Sequence, residues 1–428
     1  MKGHLQIKNA RVIDPTNKTI DSYDVFIVKG KIAALGNKPE GFDAERTLDA
    51  SGLSLIPGMV DLCARLREPG AVHKADIASE CRAASAGGVT TLCCPPDTDP
   101  VIDEPAVIEL IHHKAKIAAR TKVLVLGALS HGLKGERLSE MWALQNAGCI
   151  GVSNARAPVI NTQVLRRAYS YAANNGLTVF IEPDDHWLSM QGCAHDGPVA
   201  TRLGLQGIPV SAETIALSRS LELIAETGVR AHFGRLSCAH SVELIRRAKQ
   251  EGMNISADVS AHQLHLSEND ISSFNSAFHV LPPLRSMRDM TALRLGVADG
   301  TIDIICSDHQ PHDADSKQQP FPSAAPGISA LDTLLPLVLA LVDEGELELH
   351  TAVRALTSNP ANTLNSAAGT LTIGAAADLC LYENNIDWQL DENNMHSRGK
   401  NSPFIGWNFR NRVKHTIING TLIYSASQ

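Results

Sequence analysis

The 428-residue chain lacks the features that mark secreted, membrane-bound or nucleic-acid-binding proteins. It has no lysine- or arginine-rich run and a formal net charge of −8, which disfavours binding to nucleic acid or an anionic membrane. No uninterrupted apolar stretch reaches the roughly 18 residues of a membrane-spanning helix. Residues 1–7 contain no apolar segment of signal-peptide length. The sequence therefore predicts a cytoplasmic protein with neither nucleic acid nor membrane as partner.

The chain also lacks the cysteine spacing of a disulfide framework or a zinc ribbon. Its nine cysteines are an odd number and lie mostly inside apolar runs. Cys93 and Cys94 are adjacent, so they do not form the CxxC pattern of a zinc ribbon. We expect buried, reduced thiols, as in a cytosolic protein.

Both ends of the chain have the texture of β-strands. Strand-like segments with Gly30 as a turn residue occupy residues 5–35, and similar segments recur at 377–382 and 413–424. Asn419-Gly420 is a strong hairpin signal. We therefore predict that residues 1–56 and 370–428 join in one β-sandwich domain that flanks the middle of the chain.

The middle, residues 57–369, alternates between short apolar runs and helical patterns. The apolar runs lie near residues 59–66, 89–94, 122–127, 149–153, 178–182, 230–236, 254–259 and 302–307. Eight such alternations predict an α/β fold, a (β/α)8 TIM barrel, with functional side chains at the carboxyl ends of its strands. A doubly wound open sheet is the alternative, but it explains the matching β-rich ends poorly.

The strongest motif lies at the end of the first predicted barrel strand. Residues 57–70 read PGMVDLCARLREPG, which resembles the dihydroorotase signature except that its two histidines are replaced by Cys63 and Arg65. Further similar stretches are GGVTT at 87–91, GLKGE at 132–136, RLGL at 202–205, PPLR at 282–285 and SRGKNSPF at 397–404. Over essentially its whole length the chain resembles the long-chain dihydroorotases of the amidohydrolase superfamily.

The resemblance implies six metal-ligand positions, five of which have changed in this chain. The changed positions are Cys63 and Arg65 after strand 1, Asn154 after strand 4, Glu182 after strand 5 and Arg235 after strand 6. Asp308 is retained within SDHQPH at 307–312, where the family places its general acid/base.

These replacements predict a pseudoenzyme without a metal cofactor. A hydrolytic zinc site needs three or more protein ligands, and a guanidinium has no lone pair to offer. Without zinc the water nucleophile is not activated, so Asp308 has nothing to deprotonate. We expect zinc to be absent.

Substrate contacts are only partly retained. Arg67 matches the arginine that binds the substrate carboxylate in the family, and His312 matches a nearby binding histidine. Asp97 and Leu281 stand where the family has asparagines, which would weaken recognition of an anionic pyrimidine precursor. The loop that follows, residues 313–326, is expected to be mobile.

Two interpretations of the altered site remain open. In the first, a rebuilt metal site uses residues that can act as ligands, namely Cys63, Glu182, His232, Asp308 and His309. In the second, Arg65 and Arg235 form ion pairs with Asp308 and Glu182, so that salt bridges fill the old cavity. Such pairs mainly avoid the cost of an unpaired buried charge.

The inactive dihydroorotase-like proteins that this chain resembles assemble with aspartate transcarbamoylase into a dodecamer. The resemblance therefore implies a structural subunit that binds the aspartate transcarbamoylase catalytic chain and self-associates as dimers within that assembly. The alternative is a dihydroorotase, or a related hydrolase of hydantoins or allantoin, with a remodelled metal site. A third possibility is a small-molecule sensor that uses Arg67 and His312.

Overall fold

The computed structural model describes residues 3–426. The N-terminal part of the chain forms five strands of one mixed, eight-stranded sheet. These strands are β1 (Leu5–Asp14), β2 (Thr19–Val28), β3 (Lys31–Leu35), β4 (Arg46–Asp49) and β5 (Leu53–Pro57). β1 pairs antiparallel with β2 and parallel with β4 and β5.

The middle of the chain is the predicted barrel. Its strands, with one two-stranded ribbon (β12 and β13), are β6 (Met59–Asp61), β7 (Val89–Cys94), β8 (Lys122–Val125), β9 (Gly127–Ala128), β10 (Gly151–Ser153), β11 (Thr178–Ile181), β12 (Ala194–His195), β13 (Gly207–Ile208), β14 (Ala231–Phe233), β15 (Ile255–Ser260) and β16 (Ile304–Cys306). β8 and β9 follow each other as the third barrel strand, so eight parallel strands result. A parallel bridge between Ala64 and His309 links the last strand to the first. The TIM-barrel prediction is confirmed.

Helices separate the barrel strands. They are α1 (Ile77–Ala86), α2 (Pro105–Ala118), α3 (Met141–Asn146), α4 (Thr162–Asn174), α5 (His186–Ser189), α6 (Pro198–Leu203), α7 (Val210–Thr227), α8 (Ala239–Gln250), α9 (Met287–Ala298), α10 (Ala314–Lys317), α11 (Leu334–Asp343), α12 (Leu349–Leu356) and α13 (Ser358–Thr363). In α8 the side chains of Ser241, Val242, Ile245 and Ala248 are buried, at the three- and four-residue spacing of one helix face. Across residues 3–426, no helix is both long and apolar enough to cross a membrane.

The C-terminal strands complete the flanking sheet. They are β17 (Leu379–Gln389), β18 (Asn408–Ile418) and β19 (Thr421–Ser425). β17 pairs antiparallel with β5, which joins the two ends of the chain. Asn419 and Gly420 both have left-handed φ angles, 48° and 71°, as the two-residue hairpin between β18 and β19 requires. The prediction of a flanking β domain built from both ends is confirmed.

Each part has its own apolar core. The core of the flanking domain draws on both ends, for example Ile7, Leu55 and Leu379. Within the barrel, Cys63 and Cys306 pack in the same apolar cluster. All nine cysteines fall within residues 3–426, where each is buried and unpaired, as the sequence predicts.

Candidate functional site

The loops that leave the barrel strands retain unusual backbone geometry. Arg67, Ala155, Arg235 and Asp308 have φ angles of 61°, 47°, 56° and 46°. Non-glycine residues seldom adopt this left-handed region, and such residues cluster at functional sites. Three of the four carry charged side chains, so the backbone at the barrel mouth places charges in defined positions.

Arg65 lies in the centre of this mouth, with only 5% of its surface exposed. Its Nε donates to Asp97 Oδ2 at 2.7 Å, and its Nη1 donates to Asp308 Oδ1 at 3.3 Å. Its Nη2 lies 3.6 Å from Glu182 Oε1. Burial alone would lower the pKa of Arg65, but Asp97 and the other neighbouring negative groups raise this pKa well above its ordinary value. One guanidinium therefore binds three carboxylates.

Glu182 connects Arg65 to the second arginine. Arg235 Nη2 lies 2.6 Å from Glu182 Oε1, and Arg156 Nη1 approaches Glu182 Oε2 to 3.9 Å. The Arg235 backbone N–H donates to Asp258 Oδ1 at 2.6 Å, which fixes the position of the chain. Burial would lower the pKa of Arg235, but nearby negative groups raise it well above its ordinary value.

We call Arg65, Arg235, Asp97, Glu182 and Asp308 the inner cluster. It contains the ion pairs that the sequence suggests, and Arg65 also binds Asp97. Arg235 pairs with Glu182 alone, while Asp308 is bound by Arg65. The cluster holds two cations and three anions, and Arg156 at its edge supplies a further positive charge.

The other two altered ligand positions are occupied by groups that are already engaged. The Cys63 Sγ lies 3.6 Å from Asp308 Oδ1, and burial raises the pKa of this thiol well above its ordinary value. The protonated thiol is a poor metal ligand. The Asn154 side-chain amide donates to the carbonyls of Ala157 at 2.6 Å and Leu133 at 3.1 Å.

The residues of the rebuilt-site interpretation are not brought together. His232 is held between Asp258 Oδ2 and Ser256 Oγ, each at 2.8 Å. His309 Nε2 lies 2.7 Å from Glu80 Oε2, and its Nδ1 accepts a hydrogen bond from a backbone N–H. In the described part of the chain, no group of three or more His, Cys, Asp or Glu side chains is arranged to hold a metal ion. The donor set at the family's metal positions does not fit zinc.

Little space remains at the barrel mouth. One cavity, lined by residues that include Asn154 and Glu182, measures about 50 Å³. A second, lined by residues that include Glu182, Arg235 and Arg285, measures about 20 Å³. These volumes hold one or a few waters, whereas small-molecule pockets typically measure about 300–1,000 Å³. Neither of these two cavities has room for a cyclic amide.

The residues that match the family's substrate contacts lie outside the inner cluster, with the exception of Asp97. Arg67 Nε donates to the Pro311 carbonyl at 2.9 Å, and Arg67 Nη2 lies 3.0 Å from His312 Nε2. Leu281 is partly buried and presents no polar group. Arg67 and His312 thus form a contact of their own at the rim of the barrel.

Comparison with known proteins places this architecture in a family. The profile described as "Amidohydrolase family" matches residues 198–423, and that described as "Dihydro-orotase-like" matches residues 52–241. A "Dihydroorotase-like protein" of Pseudomonas aeruginosa is 45% identical over 98% of this chain and 99% of its own length. A "Dihydroorotase" of Geobacter sp. (strain M21) is 40% identical over 99% of this chain and 100% of its own length. The chain is a dihydroorotase-like member of the amidohydrolase family.

Solved structures share the fold of this dihydroorotase-like chain. The L-hydantoinase from Arthrobacter aurescens superposes with a TM-score of 0.89 at 24% identity, over 99% of this chain and 96% of the other. The dihydropyrimidinase from Brevibacillus agri gives a TM-score of 0.86 at 20% identity, with the same coverage. At these identities the likeness demonstrates the barrel and its flanking sheet only.

Several residues of the site were not found by sequence reasoning. The motif indicates only that a substrate contact has changed at Asp97, whereas in the structure Asp97 forms the shortest ion pair of Arg65. A signal existed, because an arginine at a histidine position and an aspartate at an asparagine position are complementary changes. Glu80 and Asp258, which bind His309 and His232, carried no comparable signal.

Proposed function

We propose that this dihydroorotase-like protein does not hydrolyse dihydroorotate and instead serves as a structural subunit of the aspartate transcarbamoylase holoenzyme in pyrimidine biosynthesis. In this role it binds the transcarbamoylase catalytic chain and self-associates as dimers within a dodecamer. The observation that carries the proposal is the Arg65 guanidinium, bonded to Asp97 and Asp308 and facing Glu182 at the position of a metal ligand.

The chemistry of the inner cluster supports the loss of hydrolysis. Hydrolysis of a cyclic amide requires a polarised carbonyl and an activated water, which a metal ion supplies in such sites. The Asp308 carboxylate accepts from Arg65 Nη1 at 3.3 Å and from Gln310 Nε2 at 3.1 Å, so both of its oxygens are engaged. A carboxylate held in this way is not free to transfer a proton to or from a substrate.

The assembly role is supported by the contrast between the fold and the site. Relatives from Pseudomonas aeruginosa and Pseudomonas putida, both 45% identical and both named "Dihydroorotase-like protein", align over 97–98% of this chain. A chain that keeps the fold but not the metal ligands can still bind another protein through its surface. The choice of aspartate transcarbamoylase as partner rests on the family resemblance alone.

The assembly is tested by co-expression with aspartate transcarbamoylase of the same organism. The molar mass is measured by light scattering behind a size-exclusion column, with each protein alone as control. We expect one joint peak of several hundred kilodaltons, with transcarbamoylase activity that falls when this chain is omitted. Two separate peaks with unchanged activity would refute the proposal.

The alternative function is a cyclic-amide hydrolase with a remodelled metal site. The retained Asp308 and the 40% identity to a "Dihydroorotase" over the whole chain favour it. Metal analysis of the purified protein, with assays on hydantoin and allantoin, separates the two functions. Turnover that rises with bound metal would support the hydrolase.

A further inference from the structure

A second group of charged side chains lies at the rim of the barrel. We call Arg67, Lys74, His312 and Lys317 the rim cluster. His312 is its centre, since its Nε2 lies 3.0 Å from Arg67 Nη2 and its Nδ1 lies 3.1 Å from Lys74 Nζ. Lys317 lies on α10, and its Nζ donates to the His279 carbonyl, which also accepts from the backbone N–H of Gly327. The preceding residue, Pro326, contacts His312 Nε2 through its carbonyl at 3.0 Å.

The rim cluster has no negative partner. In residues 3–426, no carboxylate lies within salt-bridge distance of any of its four side chains. Apart from each other, their side chains bond only to neutral carbonyls. These carbonyls belong to Ser276 and His279 for Lys317, to Pro311 for Arg67 and to Pro326 for His312. A group of basic side chains without a carboxylate partner is unusual in a protein whose net charge is −8.

Burial and neighbouring positive charges shift all four pKa values downward, although Asp97, Asp308 and Glu80 act in the opposite direction on Arg67, as does Asp313 on Lys74. Burial, with Arg67 and Lys74 next, lowers the pKa of His312 to about 3. Burial, with Lys74 next, lowers the pKa of Lys317 to about 7. Burial and Arg65 lower the pKa of Arg67 to about 10, and burial and Arg67 lower that of Lys74. An anion among these groups would relieve the repulsion.

Donors remain available for such an anion. Lys74 Nζ bonds only to His312, and Lys317 Nζ bonds to two carbonyls, so each ammonium keeps at least one N–H without a partner in the described chain. Arg67 Nε is bonded to the Pro311 carbonyl, and Arg67 Nη1 has no partner in the described chain. Asp313, the acid whose charge acts on Lys74, is partly exposed and accepts a hydrogen bond from Ser316 Oγ at 2.5 Å.

We propose that the rim cluster is a binding site for a phosphate-class dianion, held by Lys74, Lys317 and Arg67. Three permanently or partly charged donors without a carboxylate partner match a dianion better than the single charge of a carboxylate. Arginine and lysine are the residues that bind phosphate groups in proteins, through charge-assisted hydrogen bonds. The site is independent of the transcarbamoylase, so it can be tested on the isolated chain.

The first test is calorimetric titration of the isolated protein with inorganic phosphate at low ionic strength, beside sodium acetate as a monoanionic carboxylate. We expect saturable binding of one phosphate per chain and at least tenfold weaker binding of acetate. Absence of phosphate binding, or equal affinity for acetate, would overturn the proposal.

The second test locates the site with Lys74→Met and Lys317→Met. Each change removes one charge-assisted contact, so we expect phosphate affinity to fall about tenfold or more in each variant. Lys116→Met, on the exposed face of α2, changes the net charge equally and should leave affinity unchanged. Because both rim lysines are partly exposed, the variants should fold, which circular dichroism checks. Affinity retained in both rim variants, or lost equally in the control, would refute this location.

The third test identifies the source of the phosphate group. A nucleoside monophosphate that binds more tightly than phosphate, and loses affinity in the same two variants, assigns the site to a phosphomonoester. Equal affinities assign it to free phosphate. Either result supports the dianion site, whereas a nucleotide that binds independently of Lys74 and Lys317 would count against it.

Discussion

Arg65 and Arg67 lie two residues apart on the same loop, yet their surroundings are opposite. Arg65 contacts three carboxylates, whereas Arg67 contacts a carbonyl and a histidine and no carboxylate. Accordingly, after burial is counted, negative neighbours raise the pKa of Arg65, while burial and Arg65 itself lower the pKa of Arg67 to about 10. The inner cluster is compensated within the protein, and the rim cluster is not.

The difference shows what each region can do. A buried charge that is fully paired is costly to disturb and offers nothing to a ligand. A partly buried charge without a counter-ion can bind a ligand of opposite charge. The charges at the centre of the barrel mouth are therefore paired within the protein, while those at the rim have no carboxylate partner and are the basis of the proposed anion site.

The largest effect is expected for Arg65→Met. The change leaves Asp97, Glu182 and Asp308 near one another with one cation fewer, so we expect the free energy of unfolding to fall by about 3–5 kcal/mol. Urea denaturation followed by tryptophan fluorescence measures this. A fall in the free energy of unfolding of less than about 1 kcal/mol would show that Arg65 does not neutralise the three carboxylates of the inner cluster.

The pair Arg65–Asp97 can be isolated by a double-mutant cycle. Asp97→Asn in the Arg65→Met background removes the repelled carboxylate, so the double variant should recover part of the lost stability. We expect a coupling energy of about 1–3 kcal/mol from the same denaturation experiment. Additive effects of the two single changes would contradict a direct ion pair.

Acid should destabilise the protein through buried histidines that are neutral in the folded state. Burial chiefly lowers the pKa of His262, His265 and His279 to about 4 and that of His312 to about 3. Below pH 6.5 the unfolded chain binds protons that the folded chain does not, so stability falls as pH falls. The loss is at most about 1.4 kcal/mol per pH unit for each histidine, and it continues down to the folded pKa values.

Melting temperatures between pH 7.5 and 4.5 test this slope. His312→Gln keeps a polar side chain at the rim without a titrating group and should flatten the curve by the share of one histidine. A variant curve parallel to that of the wild type would contradict the neutral, buried state of His312.

The smallest effect is expected for Arg67→Met. The change frees the Pro311 carbonyl but removes repulsion with Arg65 and Lys74, so the two contributions oppose each other. We expect stability to change by less than about 1 kcal/mol in the denaturation experiment used for Arg65→Met. A loss as large as that of Arg65→Met would erase the distinction between the two clusters.

Much of the fold could be predicted because its signals are local. All eight apolar runs correspond to barrel strands, and Asn419-Gly420 forms the expected hairpin. The altered ligand positions could be named because they lie within motifs. Glu80 and Asp258 could not be named, since they lie outside the motifs and meet His309 and His232 only in the folded barrel. Loop 313–326, expected to be mobile, contains α10, and Lys317 connects it to the carbonyls of Ser276 and His279.

We propose that Arg65 and Arg235 occupy the place of the catalytic metal. The most direct measurement is dihydroorotate hydrolysis by the purified chain after incubation with zinc, beside an active dihydroorotase treated in the same way. If the arginines exclude zinc, we expect no hydrolysis of dihydroorotate above the protein-free rate at any zinc concentration. Turnover that increases with the amount of zinc bound to the chain would contradict it.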